Sequence, residues 1–145
     1  MEVKWTEVDR AMNARVKQMV REVETKAKAS AVRASNELRN SALFCLKGQR
    51  SGKRYKKPHT KRAYYTASAP GEPPAVRTGM LRMSWGMKAV GDGKGTYTAG
   101  IYSDVPYAEE LENGNSRIKQ RPYRQQIIER AKPKVTAIFK ELESK

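Results

Sequence analysis

Between Trp5 and Cys45 the chain contains neither Gly nor Pro, and apolar or small residues recur along it at steps of three and four: Trp5, Val8, Met12, Val16, Met19, Val23, Ala27, Ala31, Ala34, Leu38, Ala42 and Cys45. A mean step of about 3.6 residues is the α-helical period, so the spacing predicts a single amphipathic helix. Thr6, with Asp9 three residues later, resembles an N-terminal cap. At ~1.5 Å per residue such a helix is about 60 Å long, more than the diameter of a small domain. A chain of 145 residues forms one domain with a modest core, and that core cannot cover the whole stripe. Trp, Val and Met in the first half of the stripe suit a core, whereas the Ala-rich second half suits close approach of another backbone. The helix is therefore expected to act in part between subunits, with a break or bend near residues 25–35 as the alternative.

Three stretches follow within the same single domain: the long helix over 1–47, a basic loop and proline-rich segment over 48–79, and a hairpin with C-terminal helices over 80–145. In KGQRSGKRYKKPHTKRAYYT, residues 47–66, no period persists and eight basic residues occur without an acidic one. That pattern predicts a mobile loop or an irregular hairpin. Further on, Met83, Trp85, Met87 and Ala89 alternate with polar or small residues, GDGKG intervenes, and Tyr97, Ala99 and Ile101 alternate again. This is the signature of a β-hairpin with one face on the core. GDGKG lacks the spacing of a phosphate-binding loop and reads as its turn. In PYAEELENG, Tyr107, Ala108 and Leu111 share one face of a short helix that Gly114 can end. A last helix opens with Pro122 in its first turn and carries a stripe of Tyr123, Ile127, Ala131, Val135, Ile138 and Leu142, with Pro133 predicting a kink one turn before it. The fold class is α+β: a long N-terminal helix, a small antiparallel sheet on a central hairpin, a short helix and a C-terminal helix.

Charge narrows the partners. Thirty Lys and Arg against 15 Asp and Glu give a net charge of +15, and residues 47–77 hold nine basic residues and one acidic one. A polyanion or an acidic protein surface is the matching partner class. Arg50, Lys53, Arg54, Lys56, Lys57, Lys61 and Arg62 are the candidate DNA-facing residues, interleaved with Tyr55, Tyr64 and Tyr65 as on surfaces that combine phosphate contacts with base stacking. The other reading of this stretch is a solvated loop that folds against a neighbouring subunit.

Catalysis by side chains requires converging groups, and few are on offer. His59 is the lone histidine and sits in the basic loop, while Glu109, Glu110 and Glu112 cannot all point one way on a short helix. No enzymatic activity, metal or cofactor is expected. Cys45 is the only cysteine, which excludes an internal disulfide and reads as a small core-facing side chain. MEVKWTEVDR lacks the apolar block of a signal peptide, and no run approaches a membrane span. A soluble protein of a reducing cytoplasm is expected, with no membrane partner.

Two segments carry more specific information: SAPGEPPAVRTGMLRMSW, residues 68–85, and PYAEELENGNSRIKQRPY, residues 106–123. Together and in register they resemble the head-tail joining, or tail-completion, proteins of long-tailed bacteriophages, the group related to the lambda minor tail protein Z. There a long N-terminal helix leads to a PGEPPAVxTGxLRxS segment, a hairpin, a YAxxLExG helix and an RPF or RPY helix start. The resemblance covers about residues 3 to 142. Matching positions are Pro70, Gly71, Glu72, Pro73, Pro74, Ala75, Val76, Thr78, Gly79, Leu81, Arg82 and Ser84, then Tyr107, Ala108, Leu111, Glu112, Gly114, Ser116, Arg117, Arg121, Pro122 and Tyr123. Arg77 stands where Asp is usual, Asn115 where Thr is common and Gln120 where a small residue is common.

The resemblance implies a structural virion protein of the neck, assembled in the host cytoplasm. It would form a homo-oligomeric ring or collar that completes the tail and joins it to the DNA-filled head. Its partners would be other neck, tail-terminator and head-completion proteins, with genomic DNA in the channel. A sequence-independent DNA-binding module acting through the basic loop is the alternative. Pro73 and Pro74 restrict the backbone at successive positions, so the proline segment reads as a stiff brace that aims the basic loop, with bends at Gly71 and Gly79 and a helical turn capped by Thr78.

Overall fold

The computed structural model describes residues 4–144. Its first element, α1, is one unbroken helix over Trp5–Cys45, without the interruption considered near residues 25–35. It starts before the expected cap: the carbonyl of Lys4 accepts from the N–H groups of Glu7 and Val8 at 2.9 and 3.3 Å, which places Thr6 inside the first turn. At the other end the Leu46 N–H closes on the Ala42 carbonyl at 3.0 Å, so the helix stops at Cys45, two residues short of 47.

The covered half of α1 is the Ala-rich half. Ser30, Ala31, Ala34, Ser35, Ser41 and Ala42 are buried, whereas Trp5, Met12, Val16, Met19, Val20 and Val23 are each more than half exposed. The large residues of the first half therefore lie outside the chain's own core, against the expectation drawn from their size. Small side chains are what allow covering elements to settle onto the helix. Ser35 shows how closely: its hydroxyl donates to the Lys88 carbonyl at 2.8 Å and accepts from the Gly100 N–H at 3.3 Å.

Two elements supply the cover. A hairpin of β3, Trp85–Gly91, and β4, Tyr97–Ser103, pairs antiparallel from Trp85↔Ser103 to Gly91↔Tyr97, as the alternation predicts. Its turn is held by Asp92, whose carboxylate accepts from the N–H groups of Lys94 and Thr96 at 2.7 and 3.0 Å. The second cover is α4, Arg124–Glu143, which continues through Pro133. Ion pairs of Arg33 with Glu141 at 2.7 Å and of Glu37 with Lys134 at 3.1 Å occur in opposite order along the two helices, so α4 runs antiparallel to α1.

Between these elements lie β1, Arg54–Lys56, paired antiparallel with β2, Tyr64–Thr66, and the short helices α2, Met80–Met83, and α3, Ala108–Asn113. The fold is α+β, with two separate two-stranded sheets. The core joins Ala42 and Leu46 to Leu81, Val105, Tyr123 and Ile127, with Trp85, Ile101 and Leu111 packed around them. Among the described residues no helix is long and apolar enough to cross a membrane.

Candidate functional site

The basic stretch forms the β1–β2 hairpin, the irregular-hairpin outcome of the two that its composition allows. Pairing extends beyond the strands through Gly52 N–H to Ala67 O at 2.9 Å and Lys57 N–H to Ala63 O at 2.8 Å. Tyr55 faces Tyr65 across the ladder with ring centroids 6.0 Å apart, and the Arg54 guanidinium lies 4.8 Å from the Tyr64 ring centre. Lys53, Arg54, Lys56, Lys61 and Arg62 are exposed and Lys57 is half-buried. Among the described residues no carboxylate pairs with any of the six. The hairpin thus presents cations and tyrosine rings together, the combination that suits a phosphate backbone with accessible bases.

Arg50 stands apart from those six. Its guanidinium donates to the carbonyls of Pro73 at 2.7 Å, Cys45 at 2.9 Å and Pro74 at 3.3 Å, tying the end of α1 to the proline segment. Next to it, the Glu72 carboxylate accepts from the Ser51 hydroxyl at 2.5 Å, the Ala69 N–H at 2.8 Å and the Ser51 N–H at 3.1 Å. These bonds, the Ser51 hydroxyl first and the Ala69 amide second, hold the carboxyl at about 2. Arg50 and Ser51 on one side and Glu72, Pro73 and Pro74 on the other therefore form a clasp at the base of the basic hairpin. Two prolines present their carbonyls to Arg50 in a segment with few accessible backbone states, which lowers the entropy cost of closing it. Neither Arg50 nor Glu72 announces this in the sequence, because their partners are mostly backbone groups some twenty residues away.

The segment over residues 106–123 locks onto the one over residues 68–85. Arg121 donates to the Ser68 carbonyl, and the Gly71 N–H reaches the Gln120 carbonyl at 3.3 Å. Glu112 accepts from the N–H groups of Tyr123 and Arg124 at 2.9 and 3.2 Å, which satisfies the open N-terminus of α4 with an anion. That helix consequently begins at Arg124 and leaves Pro122 just outside it rather than in its first turn. Tyr123 is buried, donates its hydroxyl to the Ala108 carbonyl at 2.9 Å and meets Trp85 edge to face at 6.0 Å. Gly114 ends α3 at φ 73°, and a side chain there would stand 2.8 Å from the Gln120 amide nitrogen, so only glycine fits. Gly71 and Gly79 take φ 85° and 84° at the two bends of the brace; Gly79, rather than the expected Thr78, is the N-cap of α2, and the Thr78 hydroxyl reaches the Met80 N–H only at 3.4 Å.

Most of the motif positions are thus structural groups. Leu81 is core and Leu111 packs against it, Pro74 is buried, and Pro70 is exposed at the bend. Tyr107, by contrast, lines an open groove of about 610 Å³ beneath the basic hairpin, together with Leu46, Tyr65, Val76, Leu81 and Ile118. Arg77 lies on the rim of that groove, exposed and without a hydrogen bond or ion pair to any described residue. His59 sits at the hairpin tip with φ 58°, on the same rim. Burial pushes the Cys45 thiol up, against the pull of Arg130 and Arg50, so its thiolate is disfavoured.

No family model matches the chain, and no curated protein or solved structure matches it either.

Proposed function

We propose that the chain is a structural subunit of the neck of a long-tailed bacteriophage. In this role copies form a ring or collar that completes the tail and joins it to the DNA-filled head. The observation that carries the reading is the open half of α1: an unbroken helix whose stripe from Trp5 to Val23 is largely exposed in its own chain. Monomeric proteins rarely leave a long apolar stripe open, and repeated subunits bury such elements on one another. The two segments that resemble tail-completion proteins point to the same kind of assembly. The test is to purify the chain alone and with portal-side and tail-side neck proteins and to measure mass by light scattering. A symmetric multimer in either setting is expected. A strictly monomeric species in both overturns the proposal.

A second role is favoured by one specific feature, the six unpaired cations of the β1–β2 hairpin. In this role they lie towards the channel and reduce phosphate repulsion without reading sequence. Replacing Lys53, Arg54, Lys56, Lys57, Lys61 and Arg62 by Ser is expected to abolish DNA affinity whose log–log slope against salt is about −5. Unchanged affinity and slope in that variant remove the DNA role and leave the neck role standing.

A further inference from the structure

The register of the basic hairpin sorts its side chains onto two faces. Arg54 pairs with Thr66, Tyr55 with Tyr65 and Lys56 with Tyr64. Alternation therefore puts Arg54, Lys56, Tyr64 and Thr66 on one face and Tyr55 and Tyr65 on the other. The second face is occupied at Tyr65, which is half-buried, meets the Tyr55 ring and lines the groove against the body of the protein. The first face is open: Arg54 and Lys56 are exposed, and Tyr64 is 49% exposed. Tyr64 stands opposite Lys56 and diagonally across the ladder from Arg54, whose guanidinium lies over its ring. Among the described residues no other aromatic ring stacks on it.

We infer that this face binds single-stranded DNA, with a base stacked on Tyr64 and the flanking phosphates on Arg54 and Lys56. The inference rests on the DNA role of the hairpin and narrows it to one form of the polymer. An acidic protein surface, or the outside of a duplex, would engage the cations and leave the Tyr64 ring idle. Bases in a duplex are stacked on one another, so a side chain reaches a base face only after a step is unstacked, which opposes binding. A single strand presents those faces freely, and stacking on an aromatic ring tolerates any base. Lys61 and Arg62, exposed in the turn that leads into β2, extend the cationic track for the neighbouring phosphates.

The test uses the full chain and three fluorescent probes at one low salt concentration: oligo(dT), an abasic strand of equal length and a duplex of equal length. The parent is expected to bind oligo(dT) about 10-fold more tightly than the abasic strand, which carries the same phosphates without bases. Tyr64→Ala should remove that advantage, Tyr64→Phe should keep it, and neither should change affinity for the duplex. The duplex reports whether the hairpin is intact, because a loosened hairpin weakens binding to all three probes. In that event the ratio of oligo(dT) to abasic affinity in the parent decides, together with ultraviolet cross-linking of the parent to oligo(dT). Mass spectrometry should place the adduct on Tyr64. Equal affinity for oligo(dT) and the abasic strand, an advantage that survives Tyr64→Ala, or an adduct only on Tyr55 or Tyr65 overturns the inference and leaves the DNA role as phosphate binding alone. A parent that binds none of the three probes overturns the DNA role as well and leaves the neck proposal standing.

Discussion

The two halves of α1 share one stripe and one backbone, yet differ in everything that surrounds them. Residues 30–42 carry Ser and Ala, are closed over by α4 and the β3–β4 hairpin, and hold the ion pairs to Glu141 and Lys134. Residues 5–23 carry Trp, Met and Val, and Trp5, Met12, Val16, Met19, Val20 and Val23 are each more than half exposed. Large apolar side chains thus sit where cover is absent, and small ones where it is tight. Burial of large side chains is the main drive for association, so under the proposed assembly the open half gains its stabilisation from a contact outside the chain. The closed half already has its contacts, and its small residues set how near they come.

The largest consequence concerns local stability. A lone amphipathic helix is marginal in water, because most helical stability comes from tertiary packing. In monomeric protein, amide hydrogen exchange over residues 5–23 should therefore be at least ~1,000-fold faster, relative to intrinsic rates, than over residues 30–45. Assembly should slow the first set and barely alter the second. Equal protection in the monomer would mean that the halves are not different in the way described.

Substitutions sharpen the contrast next. Ile127 on α4 is 4% exposed, and Ile127→Ala should cost about 2–5 kcal/mol in urea unfolding through the cavity left beside Ala42 and Tyr123. Ala34 is fully buried, and Ala34→Leu should cost about 1–3 kcal/mol by forcing α1 away from its cover. The contrast fails if Ala34→Leu is as harmless as a change in the open half.

The clasp is attached to the closed end of α1 through Arg50 and responds to acid. Glu72 has its value lowered from the ordinary 4.5 to about 2, so it contributes stability that is fully present above the unfolded value and is lost as pH falls through the folded one. In Glu72→Gln that contribution is missing at every pH. The stability difference between parent and variant should be constant above about pH 5 and shrink steadily towards pH 2. Unfolding curves across that range check it, and a difference that grows on acidification would have the wrong sign.

These contrasts also separate what was legible in the sequence from what was not. Periodicity revealed α1, and alternation revealed β3 and β4, because each pattern reports a local backbone geometry. Periodicity is silent about cover: the same stripe describes a helix packed on its own chain and one waiting for another. Side-chain size misled for the first half of α1, where Trp, Met and Val lie exposed, and served for the second, where the Lys88 carbonyl and the Gly100 amide come within hydrogen-bonding distance of Ser35, the close backbone approach that small residues suit. Of the seven candidate DNA-facing cations, six make no ion pair among the described residues and Arg50 is held by backbone carbonyls that leave no trace in composition. Glu112 was visible as a motif residue, but its work at the start of α4 depends on a fold that brings residues 112 and 124 together.

The smallest expected effect is the most discriminating. Val16 lies in the middle of the open stripe and is 56% exposed. Val16→Ser removes apolar surface but leaves helix propensity almost unchanged, since Val and Ser differ by only a few tenths of a kcal/mol in helices. Monomer stability should therefore stay within about 0.5 kcal/mol of the parent, as for surface positions away from special contacts. The same substitution on a packed face would cost several times that through lost burial of two methyl groups and an unsatisfied hydroxyl. A monomer destabilised by more than about 1 kcal/mol would show that residues 5–23 are covered by their own chain in solution. An unchanged monomer whose self-association weakens locates the cost of the lost methyl groups between copies, as the proposed assembly requires.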